Sequence, residues 1–334
     1  SADLDANGVA DCLQFGPRAT VDASGVTGFS LAAADLNGDG RTDLIRSTTA
    51  NDLETWFSDG SGGFNLVQAT PYASMLHQLF AADLDLDGNV DVVATVGAPF
   101  APPTGFALFR GDGAGHLSFW KAQTLSANRA AVGDVTGDGR PDIVIGNPSG
   151  VFLVRGAAAE SSAYASSERL STQAYYAGSG EGLALGDFDA DPALEILALT
   201  AGYLFNLYDY DGSSFTAQTL AGEGFWSLLD GRLNVADFDA DGSDDIMVFR
   251  NDSVANGLEL SLFLSRPASG TQAARLVGSS VFFERHDVLT IPNVLDIWSS
   301  GTAELNQTPG SEATFFAPGQ VWSLEVRPQP GDSG

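Results

Sequence analysis

The sequence predicts an all-β fold, a seven-bladed β-propeller of four-stranded antiparallel blades that takes residues 1–334 as one domain. Three observations predict it. A nine-residue acidic motif recurs, with starts at Asp3, Asp35, Asp83, Asp134, Asp187 and Asp237 and a worn copy at Asp296. Apart from a first gap of 32 residues, the starts lie 48 to 59 residues apart, the length of one four-stranded blade. The runs that flank the motif repeat with it.

The order of elements within a repeat follows from those flanks. An apolar run leads in, as in "FSLAAAD", "QLFAAD" and "RAAVGD". After the motif come "DLIRS", "DVVATV", "DIVIG", "EILALT" and "DIMVFR", too short for helices and too apolar for loops, so they are buried strands. A third strand with a turn signal follows ("ETWFSDGSGGF", "FALFRGDGAGHL", "FNLYDYDGSSF"), and then a more polar fourth ("NLVQAT", "LSFWKAQTL", "FTAQTL").

The motif itself, "DLNGDGRTD" at Asp35, sets oxygen donors at positions 1, 3, 5 and 9 with glycine at 6. Carboxylates crowded this closely repel one another unless a cation lies between them. An all-oxygen donor set of this size suits calcium; zinc would call for His or Cys, and magnesium keeps its waters. The EF-hand shares the first half of the pattern but needs a bidentate Glu at position 12, where this chain has Arg46, Ala94, Ile145, Ala198 and Val248. Turn chemistry alone is the rival reading, but a turn needs only one or two such residues.

The stretches "AADLNGDGRTDLI", "AADLDLDGNVDVV" and "VGDVTGDGRPDIVIG" resemble FG-GAP repeats, also called VCBS-type, over nearly the whole chain. That family forms the propeller of integrin alpha heads, of certain fungal lectins and of many secreted bacterial proteins. The resemblance implies a secreted or cell-surface protein with calcium in the loop between the first and second strands of each blade. Carried over residue by residue, the ligands are Asp35, Asn37, Asp39 and Asp43; Asp83, Asp85, Asp87 and Asp91; Asp134, Thr136, Asp138 and Asp142; and Asp237, Asp239, Asp241 and Asp245. A fifth set is Asp187, Asp189, Asp191 and Glu195, where Pro192 replaces the glycine and has no N–H. Asp3, Asp5, Asn7 and Asp11 form a sixth, which also resembles a thrombospondin type 3 calcium repeat. At 296, Trp298 and Ser300 displace two ligands, and that loop is expected to be empty.

Five or six structural Ca²⁺ ions are therefore expected. Six would bring the formal net charge from −28 to −16. The first gap is too short for a full blade, so residues 1–28 and 313–330 are expected to share the blade that closes the ring and removes an exposed edge.

With 43 acidic residues against 15 basic ones, the chain would repel nucleic acid and anionic membrane surfaces. No apolar run approaches the roughly 18 residues of a membrane span. Cys12 is the sole cysteine, so neither an internal disulfide nor a cysteine zinc site exists. Ser1 is followed at once by acidic residues, as expected for a mature form or an excised piece. A monomer, or a part of a larger multidomain protein, is expected.

If cations occupy one face, the other carries the connections at 70–78, 97–105, 171–182, 221–232 and 278–288. These hold Tyr72, His77, Phe100, Tyr175, Tyr176, Phe225, Trp226 and Arg232. Flat rings beside polar groups stack on the C–H face of a sugar, so a glycan is the expected ligand; the same rings would otherwise plug the seams between blades. A cell-surface protein partner is the alternative, and a polysaccharide lyase a more distant one. No nucleophile elbow, phosphate loop or zinc motif is present, and no catalytic residue is assigned. The tripeptide Arg110–Gly111–Asp112 matches an adhesion motif, but sister repeats carry Asp–Gly at the same turn.

Overall fold

A computed structural model describes residues 28–61, 63–98, 102–158, 162–173, 175, 182–189, 191, 193–200, 204–220, 233–237, 242–252, 257–264, 277–284, 312–317 and 320–325. All regular structure among them is β. The first sheet is β1 (Gly28–Ala34), β2 (Asp43–Thr48), β3 (Asp52–Ser58) and β4 (Phe64–Pro71). The second is β5 (Met75–Ala82), β6 (Asp91–Gly97), β7 (Gly105–Gly111) and β8 (Leu117–Gln123). The third is β9 (Arg129–Gly133), β10 (Asp142–Asn147), β11 (Gly150–Val154) and β12 (Glu168–Ser171). The fourth is β13 (Leu183–Gly186), β14 (Glu195–Thr200), β15 (Leu204–Tyr210) and β16 (Phe215–Leu220). The fifth is β17 (Leu233–Ala236), β18 (Asp245–Asp252), β19 (Gly257–Leu264) and β20 (Val277–Glu284).

In all five, the strands lie side by side in chain order and pair antiparallel. This is the blade order expected from the repeat. First strands meet from sheet to sheet, β1 with β5, β5 with β9, β9 with β13 and β13 with β17. A further pair, β21 (Glu312–Ala317) and β22 (Gln320–Glu325), forms a two-stranded sheet. The closing blade expected from 1–28 and 313–330 lies otherwise outside the described residues, as do the loops at Asp3 and Asp296.

The continuous apolar runs of the second strands have a direct explanation: they are buried on both faces. In β6, Val92 and Ala94 pack toward the first sheet with Ile45, Leu53 and Leu76, whereas Val93 packs toward the third with Ile143 and Ile145. In β10, Ile143 and Ile145 face the second sheet while Val144 joins Leu183, Ile196 and Ala198 of the fourth. Alternation along each strand thus feeds two cores, and the few polar residues buried there are hydrogen-bonded, Thr95 accepting the Gln78 N–H and Asn147 donating to the Ser126 carbonyl. Tyr164 pins one seam: its hydroxyl lies 2.7 Å from the carbonyl oxygen of Pro141 and 3.1 Å from that of Leu84.

Candidate metal centre and ligand face

The acidic loops connect the first and second strands of their sheets, at one end of each. Positive φ is needed at the sixth position, where Gly40, Gly88, Gly139 and Gly242 have φ of 79, 88, 82 and 94°. Their N–H groups donate to Oδ2 of the first aspartate: Gly40 to Asp35 at 2.8 Å, Gly88 to Asp83 at 2.9 Å, Gly139 to Asp134 at 2.6 Å and Gly242 to Asp237 at 2.9 Å. The fifth-position aspartates close a second turn, with Oδ1 of Asp39, Asp87 and Asp138 each accepting the N–H two residues on. The fourth position is also left-handed in three loops. Gly38 and Gly137 fill it in two of them, but in the third it is Leu86, at φ 61°, a strained conformation for a branched side chain.

The ninth residue performs a different task. Asp43, Asp91, Asp142 and Asp245 are fully buried and Glu195 is 1% exposed. One carboxylate oxygen accepts the N–H of the loop's second residue: Leu36 to Asp43 at 3.1 Å, Leu84 to Asp91 at 3.0 Å and Phe188 to Glu195 at 2.6 Å. In the third sheet Thr136 Oγ1 donates instead, to Asp142 at 3.1 Å. The other oxygen accepts an N–H at the end of the third strand, from Ser58 at 2.9 Å, Gly111 at 2.9 Å and Gly156 at 2.8 Å. This one side chain therefore ties the loop to the sheet. Loops are also tied across seams: Leu194 N–H donates to the Asp134 carbonyl at 2.9 Å and Asp244 N–H to that of Asp187 at 2.6 Å.

Two sets of expected ligands converge closely, with one carboxylate oxygen of each residue within 4.8 Å of the others: Asp83, Asp85 and Asp91, and Asp187, Asp189 and Glu195. A further set, Asp189, Asp191 and Asp209, was not legible in the motif. In the first loop Asp39 turns to Arg41, 2.5 Å away, and to the Asn37 amide at 3.0 Å. Asp35, Asp134, Thr136, Asp138 and Asp237 hold their loop positions; Asp239 and Asp241 lie outside the described residues.

The donor sets fit a hard divalent cation. Asp85 Oδ1 and Glu195 Oε1 are buried with no hydrogen-bond partner among the described residues, a cost of roughly 1–3 kcal/mol each unless something else binds them. Burial pushes Asp91 and Asp142 up to about 6 against their backbone hydrogen bonds, and neighbouring aspartates add to the push. Burial, with Asp189, Asp191 and Asp209 nearby, pushes Glu195 up to about 8.

A pH dependence follows. Between the ordinary carboxylate range near 4 and about 8, the metal-free folded chain holds protons that the unfolded chain has released. More protons on the native state means stability falls as pH rises through that window. Urea melts in chelator across pH 4 to 8 are expected to show this fall, and added calcium to reverse its sign by displacing the protons. A metal-free stability that rises over the same window contradicts the assignment.

At the opposite end of the sheets, Tyr72 sits in the β4–β5 connection, where its N–H donates to Asn51 of the β2–β3 turn at 2.9 Å. Its ring packs edge-on against Phe109 and beside Phe119, the latter 55% exposed. His77 lies in β5, half-buried; burial lowers its pKa, against backbone hydrogen bonds with Ala98 and Gly97. Tyr175 is 2% exposed and fills the seam between the third and fourth sheets. A Cβ on Gly146 would come within 2.7 Å of its ring, and its hydroxyl accepts the N–H of Gly182 at 3.2 Å. Its ring is therefore turned inward, not presented to solvent. Phe100, Tyr176, Phe225, Trp226 and Arg232 lie outside the described residues.

The Arg110–Asp112 tripeptide is built into the second sheet. Arg110 pairs with Asp85 at 2.8 Å and stacks over Trp120, 4.0 Å from the ring centroid. Asp112 caps its hairpin by accepting the N–H groups of Ala114 and His116, as Asp59 and Asp211 do in sister sheets.

Repeated four-stranded sheets with an acidic loop after the first strand define the class, and comparison with known proteins agrees. Residues 35–94, 83–145 and 134–198 match the model of the FG-GAP-like repeat. No curated protein is significantly similar in sequence. Among solved structures, the chain is similar to a lectin of Agrocybe aegerita described by its recognition of non-reducing terminal N-acetylglucosamine, with 20% identity and a TM-score of 0.51 over 74% of this chain. The match spans 65% of the lectin's length. It is also similar to BBS1N, solved in complex with ARL6DN, with 11% identity and a TM-score of 0.44 over 73% of this chain and 79% of that one. Among the described residues no helix is long and apolar enough to cross a membrane.

Proposed function

We propose that the protein is an extracellular, calcium-stabilised, seven-bladed β-propeller that binds a glycan on the face away from its acidic loops. The observation that carries the calcium assignment is the buried ninth-position carboxylate, joined in two loops by two further acids and a partnerless oxygen. Asp83, Asp85, Asp87 and Asp91 hold one ion, and Asp187, Asp189, Asp191 and Glu195 another. The loops at Asp35, Asp134 and Asp237 hold theirs through the equivalent positions. The ion supplies positive charge beyond what Arg41 and Arg110 bring to their loops, and so fixes loops that would otherwise repel themselves open.

The glycan reading draws support from the fold shared with the lectin and from Tyr72 and His77 at the far end of the sheets. With the metals on one face, the opposite connections remain for recognition, and rings there stack on sugar C–H groups. Screening the calcium-loaded chain on a glycan array is expected to give selective binding that chelator abolishes. Binding to no glycan, alongside capture of a protein ligand by the same face, would replace this reading with a protein-adhesion role.

A further inference from the structure

The fourth sheet departs from its sisters at one register position. The residue paired with the ninth-position acid is Arg110 opposite Asp91 and Arg155 opposite Asp142, one step beyond the pairs Val92–Phe109 and Ile143–Val154. By the same step from Ile196–Tyr208, the residue opposite Glu195 is Asp209. The second sheet sets Arg110 against a loop acid, Asp85, and in the third Arg155 turns to Glu168, whereas the fourth sets another carboxylate at this position.

Asp209 reaches the loop. One oxygen each of Asp189, Asp191 and Asp209 lie within 4.8 Å of one another, and Asp189 also belongs to the set with Asp187 and Glu195. Asp189, Glu195 and Asp209 line one small cavity over the apolar floor of Phe188 and Leu207, with Thr216 and Gln218 at its side. Glu195 is 1% exposed, and its Oε1 has no hydrogen-bond partner among the described residues.

Charge separates one ion from two. In the second sheet four loop acids, one of them paired with Arg110, leave three negative charges, and one divalent ion reduces these to one. In the fourth sheet the four loop acids and Asp209 carry five. One divalent ion leaves three, crowded and partly buried, whereas two leave one, matching the second sheet. Pro192 also has no N–H for Asp187, so this loop lacks the sixth-to-first hydrogen bond that closes its sisters. An ion between the acids supplies a closure that the backbone does not.

We propose that the fourth sheet holds two calcium-class cations that share Asp189 and Asp191, the second of them bound by these two and Asp209. This rests on the reading that the acidic loops bind calcium at all, and the test separates the two. The full chain is equilibrated with calcium, and the ions per chain are counted by native mass spectrometry. Asp209→Asn and Asp209→Arg are each expected to hold one ion fewer than the natural chain. Asp112→Asn, which removes an exposed hairpin charge, is expected to hold as many. Melting curves establish that each variant is folded, and the near-isosteric Asn variant carries the count if Arg prevents folding. An undiminished count in folded Asp209 variants overturns the second cation while leaving the loop sites standing. A natural chain that takes up no calcium overturns both.

Discussion

Chelating divalent cations is expected to lower the melting temperature of the protein by at least ~10 °C. A site filled at a hundred times its dissociation constant stabilises the folded state by about 2.7 kcal/mol. With several loops filled the contributions add, and for a chain of this size each 1 kcal/mol moves the midpoint by roughly 1–2 °C. The physical source is visible in the loops: buried carboxylates at Asp91, Asp142 and Glu195 are held by backbone amides and, at Asp142, the Thr136 hydroxyl, with their acidities weakened by burial. Thermal melts by circular dichroism, run with calcium and again with chelator, measure the shift. Equal midpoints in the two buffers mean that the ions do not hold the fold.

Asp91→Ala is expected to destabilise the calcium-loaded protein by about 3 kcal/mol or more. The substitution removes one acceptor from the Leu84 N–H and one from the Gly111 N–H, both inside the protein, and deletes a ligand at the same stroke. Each orphaned buried donor costs roughly 1–3 kcal/mol. Asp91→Asn keeps an oxygen for one amide and loses the charge, so it is expected to fall between Ala and the natural residue. Asp112→Ala is the comparison: an exposed hairpin cap whose loss costs about 1 kcal/mol or less. Urea melts of the three variants check the order. If Asp91→Ala melts like Asp112→Ala, the ninth position is not the tie between loop and sheet.

Much of this architecture is encoded locally and so was legible in the chain. Alternate oxygen donors with glycine at the sixth position specify the loop wherever they occur, because the left-handed turn and the Asx hydrogen bonds involve neighbours within five residues. The buried second strands were legible for the same reason: an apolar run such as "DVVATV" can only be satisfied by cores on both sides. Longer-range choices were not. Asp209 belongs to the fourth sheet's acid cluster only because β15 pairs with β14 in one register, and nothing in "NLYDYDG" announces that partner. Arg110 illustrates the converse, since a tripeptide suggestive of a displayed turn is anchored by Asp85, 25 residues earlier in the chain. Tyr175 was recognisable as a connection residue, but its direction depends on Gly146 leaving space for the ring across a seam. Leu86 occupies a left-handed position that two sister loops give to glycine, a strain visible only from the backbone.

The claim on which the rest depends is that a calcium ion lies among the carboxylates of each acidic loop. Anomalous diffraction from a crystal grown with calcium tests it most directly. The account predicts anomalous peaks among Asp83, Asp85 and Asp91 and among Asp187, Asp189 and Glu195, at about 2.3–2.6 Å from their oxygens. Loops in the same conformation with only water between the carboxylates would contradict it.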